Sequence, residues 1–416
     1  MTLQVPFFRP DIGDAEVDEV VEAIRSGWLT TGPRVKTFEA RFAEAVGAPH
    51  AIALNSCTAA LHLAVEALGL GAGDAVLIPT MTFAATAEVV RYTAAFPVLV
   101  DCDPETLNLD LEDASRKLES LRTGRLAAAI PGGARVVGII PVHVGGLMLD
   151  VDRLQAFAER NDLWVVEDAA HAFPAAWRRS SREPWQRCGD GTAAISCFSF
   201  YANKTITTGE GGMVTTADPE LADRMRIMSL HGLSGDAWRR YSGGSWDYRI
   251  LAPGFKYNMT DVAAALGIHQ LRRAEEMREA RLAVSQRFLE GLADVEELEL
   301  PLVGDDRLHS WHLFPVRLRL ERLTIDRNAF MEELKRRGVG CSVHWRPLHL
   351  HPYYEETFRW RPADFPVSTS VWERLVSLPI YPGMTGAEIE GVVATVKDVC
   401  RASRVAGAVT AQESVR

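Results

Sequence analysis

Six of the 45 basic side chains are lysines, at positions 36, 117, 204, 256, 335 and 397, so each can be weighed singly. Lys36, Lys117, Lys335 and Lys397 fall in helix-like polar segments, where a solvated surface role is expected. Lys204 differs. It follows the apolar run from Ala194 to Phe200 and precedes the glycine-rich turn Thr208-Gly209-Glu210-Gly211-Gly212. An amine at a strand end beside a flexible turn sheds part of its hydration, which lowers its pKa and lets it attack a carbonyl. The same context also suits a lysine that reaches from a loop into water.

Two further segments add to this one. The run Trp164-Val165-Val166-Glu167-Asp168-Ala169-Ala170-His171 ends an apolar strand on acidic residues, and in open α/β sheets ligands gather outside the carboxyl ends of strands. Asp168 placed there can pair with a protonated pyridine nitrogen, the interaction that makes a pyridoxal ring an electron sink, or it can cap a helix. In Asn55-Ser56-Cys57-Thr58-Ala59-Ala60-Leu61 hydroxyl residues open an apolar helix. Free amides and the helix dipole make such a start a phosphate cradle to which Thr58 adds its hydroxyl, and plain capping explains Ser56 equally well. Phe83 begins the next helix, where it can stack on a ring or fill the core. Glycine fingerprints for dinucleotides, P-loops, hydrolase elbows and zincin motifs are all missing. His344, His349 and His351 cluster, but Pro347 and Pro352 break the register one metal would want, so no metal is expected.

These residues need a scaffold. From about residue 50 to 216, short apolar runs alternate with helix-period segments, the pattern of crossover units on a mainly parallel sheet covered on both faces. The expected strands are Ala51 to Leu54, Ala75 to Pro79, Phe96 to Asp101, Arg135 to Val142, Leu163 to Asp168, Ala193 to Phe200 and Gly212 to Thr216. Helices are expected over Cys57 to Leu70, Phe83 to Thr93 and Val151 to Arg160, with one long helix from Thr260 to Leu292. Beyond residue 300 come a strand at Trp311 to Leu320 and helices at Asp326 to Arg337 and Ala387 to Arg401, which reads as a smaller α+β unit. Arg178 to Asp190 is expected to loop out and Ser403 to Arg416 to fray.

The resulting division is residues 1–255 as a large cofactor-binding domain with an N-terminal segment, 256–402 as a small C-terminal domain with its linking helix, and 403–416 as a tail. A length of 416 residues, 47% apolar and 24% charged types and a mean hydropathy of −0.03 fit an ordinary globular enzyme. A net charge of −10 without a basic patch argues against a nucleic-acid partner. Six cysteines without a C-x-x-C pair fit a reducing cytoplasm, and with no signal peptide and no long apolar run no membrane association is expected.

Taken together, the segments resemble the DegT/DnrJ/EryC1/StrS family of sugar aminotransferases, pyridoxal-phosphate enzymes of fold type I. The likeness runs from about Pro6 to Pro382. It rests on Ser26-Gly27-Trp28-Leu29-Thr30-Thr31-Gly32-Pro33, on Val100-Asp101-Cys102-Asp103-Pro104-Glu105-Thr106-Leu107-Asn108, and on Phe198-Ser199-Phe200-Tyr201-Ala202-Asn203-Lys204. The resemblance implies that Lys204 binds the aldehyde of pyridoxal 5'-phosphate, Asp168 holds the pyridine nitrogen, Phe83 stacks on the ring and His171 approaches its 3-hydroxyl. It further implies that Cys57, Thr58 and Ser199 bind the phosphate, and that Asn258 reaches the phosphate of the neighbouring subunit in a homodimer with shared sites. Trp28, Thr31, His344 and Tyr354 are implied as walls for sugar or nucleotide. The implied reaction moves an amino group from L-glutamate to a nucleotide-linked keto-sugar, a 4-keto hexose or pentose. His171 stands where the commonest family pattern has Gln.

The branch that makes UDP-4-amino-4-deoxy-L-arabinose is similar at Glu167 to His171, at His231 to Trp238 and at Leu251 to Asn258, while Leu233-Ser234 and the loop from Trp177 to Arg187 differ from it. Related 3-dehydratases carry His in place of the lysine, so Lys204 points away from that chemistry. A pyridoxal-binding regulator would need an added partner-binding module, and an NAD-dependent sugar oxidoreductase would need the missing glycine fingerprint.

Overall fold

A computed structural model describes residues 4–126, 128–131, 133–234, 249–302 and 304–405. Seven strands build the main sheet: β1 (His50–Leu54), β2 (Asp74–Pro79), β3 (Phe96–Val100), β4 (Arg135–Ile139), β5 (Trp164–Asp168), β6 (Ile195–Ser199) and β7 (Gly212–Thr216). Their order is β1-β7-β6-β5-β4-β2-β3. The five strands from β6 to β3 are parallel, and β7 runs antiparallel to both β1 and β6. Because β7 reverses, the carboxyl ends of β1, β5 and β6 and the start of β7 share one edge.

Helices cover both faces, as the uninterrupted apolar runs require. α1 (Asp14–Arg25) and α2 (Pro33–Val46) precede the sheet, followed by α3 (Cys57–Ala67), α4 (Ala85–Tyr92), α5 (Leu111–Arg122), α6 (Val151–Asn161) and α7 (Pro219–Ser229). Leu61, Leu63, Val89 and Met225 of α3, α4 and α7 pack on Ile78, Val166 and Ile195. Leu118, Leu154 and Phe157 of α5 and α6 pack on Leu77, Val98 and Val165. Phe38 and Phe42 of α2 meet Phe198 and Phe200, with ring centroids 5.0 to 5.6 Å apart from Phe42.

The long helix expected over Thr260 to Leu292 is two helices, α8 (Asp261–Arg272) and α9 (Ala274–Leu292), although Thr260 does cap the first. Arg273 between them leaves the helical basin at φ −100°, ψ 2°, and its guanidinium pairs with Asp11 at 2.7 Å and Glu16 at 3.4 Å. These partners lie some 260 residues away in sequence, so helical periodicity carries no trace of the break. Met259, Ala264, Ile268, Leu271 and Met277 are buried in the core that also holds Phe38 and Phe200, so this stretch packs with the main sheet.

A second sheet joins β8 (Leu298–Glu299), β9 (Phe314–Leu318) and β10 (Leu375–Leu378), all antiparallel, with α10 (Arg327–Arg336) and α13 (Gly386–Ala402) packed on it, while α11 (Pro352–Phe358), followed by α12 (Pro366–Arg374), packs into the main core. Phe288, Phe314, Phe330, Val392 and Val396 form its core. The strand expected over Trp311 to Leu320 is shorter because Trp311 adopts a left-handed φ of 51° and Leu320–Arg322 turns as a 3-10 helix. The strand expected over Arg135 to Val142 stops at Ile139, where Pro141 has no amide for a ladder.

Three other expectations are corrected. Within Arg178 to Asp190, Gln186–Arg187 pairs with Ala176–Trp177, and Arg307–Leu308 completes a small ribbon. Lys117 is no free surface lysine: Nζ donates to the Asp364 carbonyl at 3.1 Å and sits 4.4 Å from the Phe365 ring centroid. Ser403 to Val405 do not fray, since Arg404 bridges to Leu323 and the Val405 amide donates to Arg322; residues 406–416 lie outside the described residues. All six cysteines are free, and among the described residues no helix is long and apolar enough to cross a membrane.

Candidate active site

The shared strand edge opens into a cavity of about 580 Å³ lined by Ser56, Cys57, Thr58, Thr82, Phe83, Asp168, His171, Ser199, Lys204, His312, His344 and Trp345, among others. Eight of the twelve residues singled out in the sequence meet here: Cys57, Thr58, Phe83, Asp168, His171, Ser199, Lys204 and His344.

Each is delivered by a local element. Asp168 ends β5, and its carboxylate is buried, accepting from Thr86 Oγ1 at 2.8 Å and from the Ala170 amide at 3.2 Å. Burial raises its pKa above the ordinary aspartate value, and the two donated bonds hold that rise in check. Lys204 lies in the turn after β6, its amide donating to the Tyr201 carbonyl at 2.9 Å. Loss of hydration brings its amine down to about 8, although Cys57 and Asp168 pull the other way. Ser56 caps α3 by accepting from the Ala59 amide at 3.1 Å, which leaves the first-turn amides of Cys57 and Thr58 without an intrahelical acceptor and at the positive end of the helix.

Gly212, at the start of β7, is essential to this cradle: a Cβ there would come within 2.4 Å of the Ser56 carbonyl oxygen and 2.7 Å of the Cys57 nitrogen. Phe83 presents a ring that is 63% exposed, an apolar face turned to the cavity rather than to the core.

His171 is buried and neutral, its pKa pushed well down by burial and by Lys204 and His344. Its Nδ1 accepts from the Gly145 amide at 3.3 Å, so the ring proton sits on Nε2, and the ring stacks on Trp345 at 5.0 Å. His344 is held low, at about 4, by burial, and its Nδ1 lies 3.0 Å from Ser377 Oγ.

The other four residues lie elsewhere. Asn258 Nδ2 donates to Thr31 Oγ1 at 2.7 Å beside a second hollow of about 330 Å³, and Trp28 Nε1 donates to the Thr31 carbonyl at 3.1 Å. Tyr354 is corrected as a wall of this cavity: it is buried in the main core against Phe358, because the proline-started helix α11 turns that face inward. The stretch Gly235 to Trp238, part of the branch likeness, lies outside the described residues.

Sequence reasoning missed Thr82, Thr86, His312 and Trp345. Thr86 lies in the first turn of α4 and Thr82 in the bend just before it, so their four-residue spacing across the helix start was the one signal that could pair them. His312 gave no comparable signal. It packs 4.2 Å from His171, and both its ring nitrogens are buried without a hydrogen-bond partner among the described residues.

Among the described residues one group of His, Cys, Asp or Glu is close enough to share an ion: His143, Glu167 and Cys188, all buried. The Leu149 amide donates to His143 Nδ1 at 3.2 Å, so the nitrogen facing Glu167, 3.3 Å away, carries the proton in the neutral ring and offers no lone pair. That donor set suits a hydrogen-bonded strut for β5, not a metal.

The residues present fit pyridoxal 5'-phosphate. An amine near neutrality, a buried carboxylate, an exposed aromatic face and a helix start with open amides surround one cavity. At family level, residues 10–397 match the DegT/DnrJ/EryC1/StrS aminotransferase family. The chain is 42% identical over 399 residues to SpsC, a spore coat polysaccharide biosynthesis protein of Bacillus subtilis, covering 95% of this chain and 97% of that protein. It is 44% identical over 401 residues to the uncharacterized protein MJ1066 of Methanocaldococcus jannaschii, covering 96% and 98%. Among solved structures, Spr1654 of Streptococcus pneumoniae, described as a candidate sugar aminotransferase, superposes in its PMP form with a TM-score of 0.85 at 31% identity, covering 96% of this chain and all of that one. The same protein has also been solved in PLP and apo forms.

Proposed function

The chain belongs to the DegT/DnrJ/EryC1/StrS aminotransferase family, and from that premise we propose that it moves the amino group of L-glutamate to a nucleotide-linked 4-keto hexose or pentose, in a homodimer with shared sites. It is a sugar aminotransferase of fold type I, and its cofactor is pyridoxal 5'-phosphate. The observation that carries the site assignment is the lowered amine of Lys204 and the buried carboxylate of Asp168 in one cavity with the open amides of α3.

When bound, the cofactor supplies an aldehyde that takes up the amino group and a ring that draws electrons from the bond broken at the donor's α-carbon. Lys204 Nζ, unprotonated above about 8, would be the amine that holds the cofactor's aldehyde and, when free, the base that would move the proton at the donor's α-carbon. Asp168 would accept from the ring nitrogen and keep its proton in place. The Cys57 and Thr58 amides, the Thr58 hydroxyl and Ser199 would hold the phosphate, Phe83 would cover the ring face, and His171 Nε2–H would serve the 3-hydroxyl. His344 forms part of the sugar wall. Among the described residues lining the cavity Lys204 is the one Lys or Arg, although both substrates are anionic. That shortage among the described residues, together with Asn258 lining a separate hollow and bonded to Thr31, supports a site finished by a second copy.

Two measurements test this reading. Enzyme incubated with L-glutamate alone should release one 2-oxoglutarate per site, and ¹⁵N-glutamate should then label one of the UDP-, dTDP- or GDP-linked 4-keto sugars by mass spectrometry. Oxoglutarate without any labelled sugar removes the acceptor class; no oxoglutarate removes the donor. Separately, the rate at which cofactor-free protein turns yellow with added pyridoxal phosphate should rise about tenfold per pH unit and level off above about 8, as Lys204 loses its proton. A flat profile would put a different amine at the site.

A further inference from the structure

Asp168 Oδ2 accepts from Thr86 Oγ1 at 2.8 Å, and Thr86 Oγ1 lies 2.7 Å from Thr82 Oγ1. All three side chains are buried, Thr86 completely and Thr82 to within 1%. The direction of this chain follows from hydrogen counting. An ionised carboxylate only accepts, so the single hydroxyl hydrogen of Thr86 points at Asp168, and the hydrogen between the two threonines must come from Thr82. Thr82 lines the cavity, and Thr86 sits one turn deeper, at the start of α4.

We propose that Thr86, oriented by Thr82, is a positioning residue that keeps Asp168 an anion aimed at the pyridine nitrogen, so that the shared proton stays on the ring. The inference rests on the reading of Asp168 given above. The buried carboxylate has two donors from the protein, Thr86 on one oxygen and the Ala170 amide on the other. Burial by itself favours the neutral acid, whose proton would sit on oxygen and leave the ring nitrogen bare. A bare nitrogen draws fewer electrons from the reacting bond. Two hydroxyls in series polarise each other, so the donor to Oδ2 is stronger than an isolated threonine. Among the described residues neither threonine hydroxyl has a side-chain partner outside this hydrogen-bonded chain, so the chain is what satisfies both buried hydroxyls.

The test uses holoenzyme loaded with pyridoxal phosphate carrying ¹⁵N in the ring, read by the nitrogen resonance and by the pH midpoint of the bound cofactor's yellow band. Thr86→Val keeps the shape and removes the hydroxyl. Its ring-nitrogen resonance should move toward that of unprotonated pyridine, and the midpoint should rise by about one pH unit, because a neutral ring no longer withdraws charge from the imine nitrogen. Thr86→Ser should stay at the wild-type values, and Thr82→Val should move both readouts in the same direction by less.

A purely structural threonine would alter thermal stability and cofactor affinity without moving either readout. Wild-type signals in both valine variants overturn the inference. Asp168→Asn separates the two levels. If it moves the resonance and the valine variants do not, only the threonine chain fails; if none of the three moves it, the placement of Asp168 fails as well.

Discussion

Lys204→Ala is expected to lose turnover by about 10⁴-fold, the upper end of what a positioned acid–base group contributes, and more if the covalent link is also rate-enhancing. The side chain makes no ion pair among the described residues, and its amine bears a desolvation cost, so stability should stay within about 1 kcal/mol of wild type. Loss of activity with an intact melting transition is therefore the expected pairing. Borohydride reduction of the wild type followed by peptide mass mapping should place the cofactor on Lys204. Trapping at Lys256 or any other lysine, or a fully active alanine variant, would sink the assignment.

Asp168→Asn should lower kcat by about 10² to 10³-fold, the usual consequence of removing one preorganised charge from a developing transition state. The carboxamide is nearly isosteric and its oxygen can still accept from Thr86, but its NH2 then faces the Ala170 amide, so relief from burying an anion is offset by one lost hydrogen bond and thermal stability should stay within about 1–2 kcal/mol of wild type. A much slower enzyme with nearly wild-type stability separates a charge effect from a packing effect. If the asparagine variant kept kcat within a few fold, the ring nitrogen would have to find its proton elsewhere, and Asp168 would revert to a structural role.

Much of the main sheet could be read from local sequence, because a strand buried on both faces must be apolar along its whole length and the helices between strands keep their own period. All seven strands of that sheet lie where the apolar runs put them, and the helices expected from Val151 and from Thr260 open at Val151 and Asp261. Three of the misses share one cause. Arg273 breaks a helix through ion pairs with Asp11 and Glu16, Lys117 is captured by Asp364 and Phe365, and Gln186–Arg187 joins a ribbon with Arg307–Leu308. Each depends on a residue far away in the chain, and nothing in the neighbouring sequence encodes it.

The site divides the same way. Residue types and strand ends singled out Lys204, Asp168 and the start of α3, since a carbonyl chemistry with a phosphate needs an amine, an acid and open amides. Sequence alone therefore determined the class of chemistry and the edge of the sheet that hosts it. Only the tertiary structure decided which side chains surround that chemistry: His312 and Trp345 enter the cavity, Tyr354 turns into the core, Asn258 faces a separate hollow, and Thr86 takes hold of Asp168. Strand and helix periodicities are properties of neighbours along the chain, whereas a cavity wall is made by segments that meet only after the sheet has been wound.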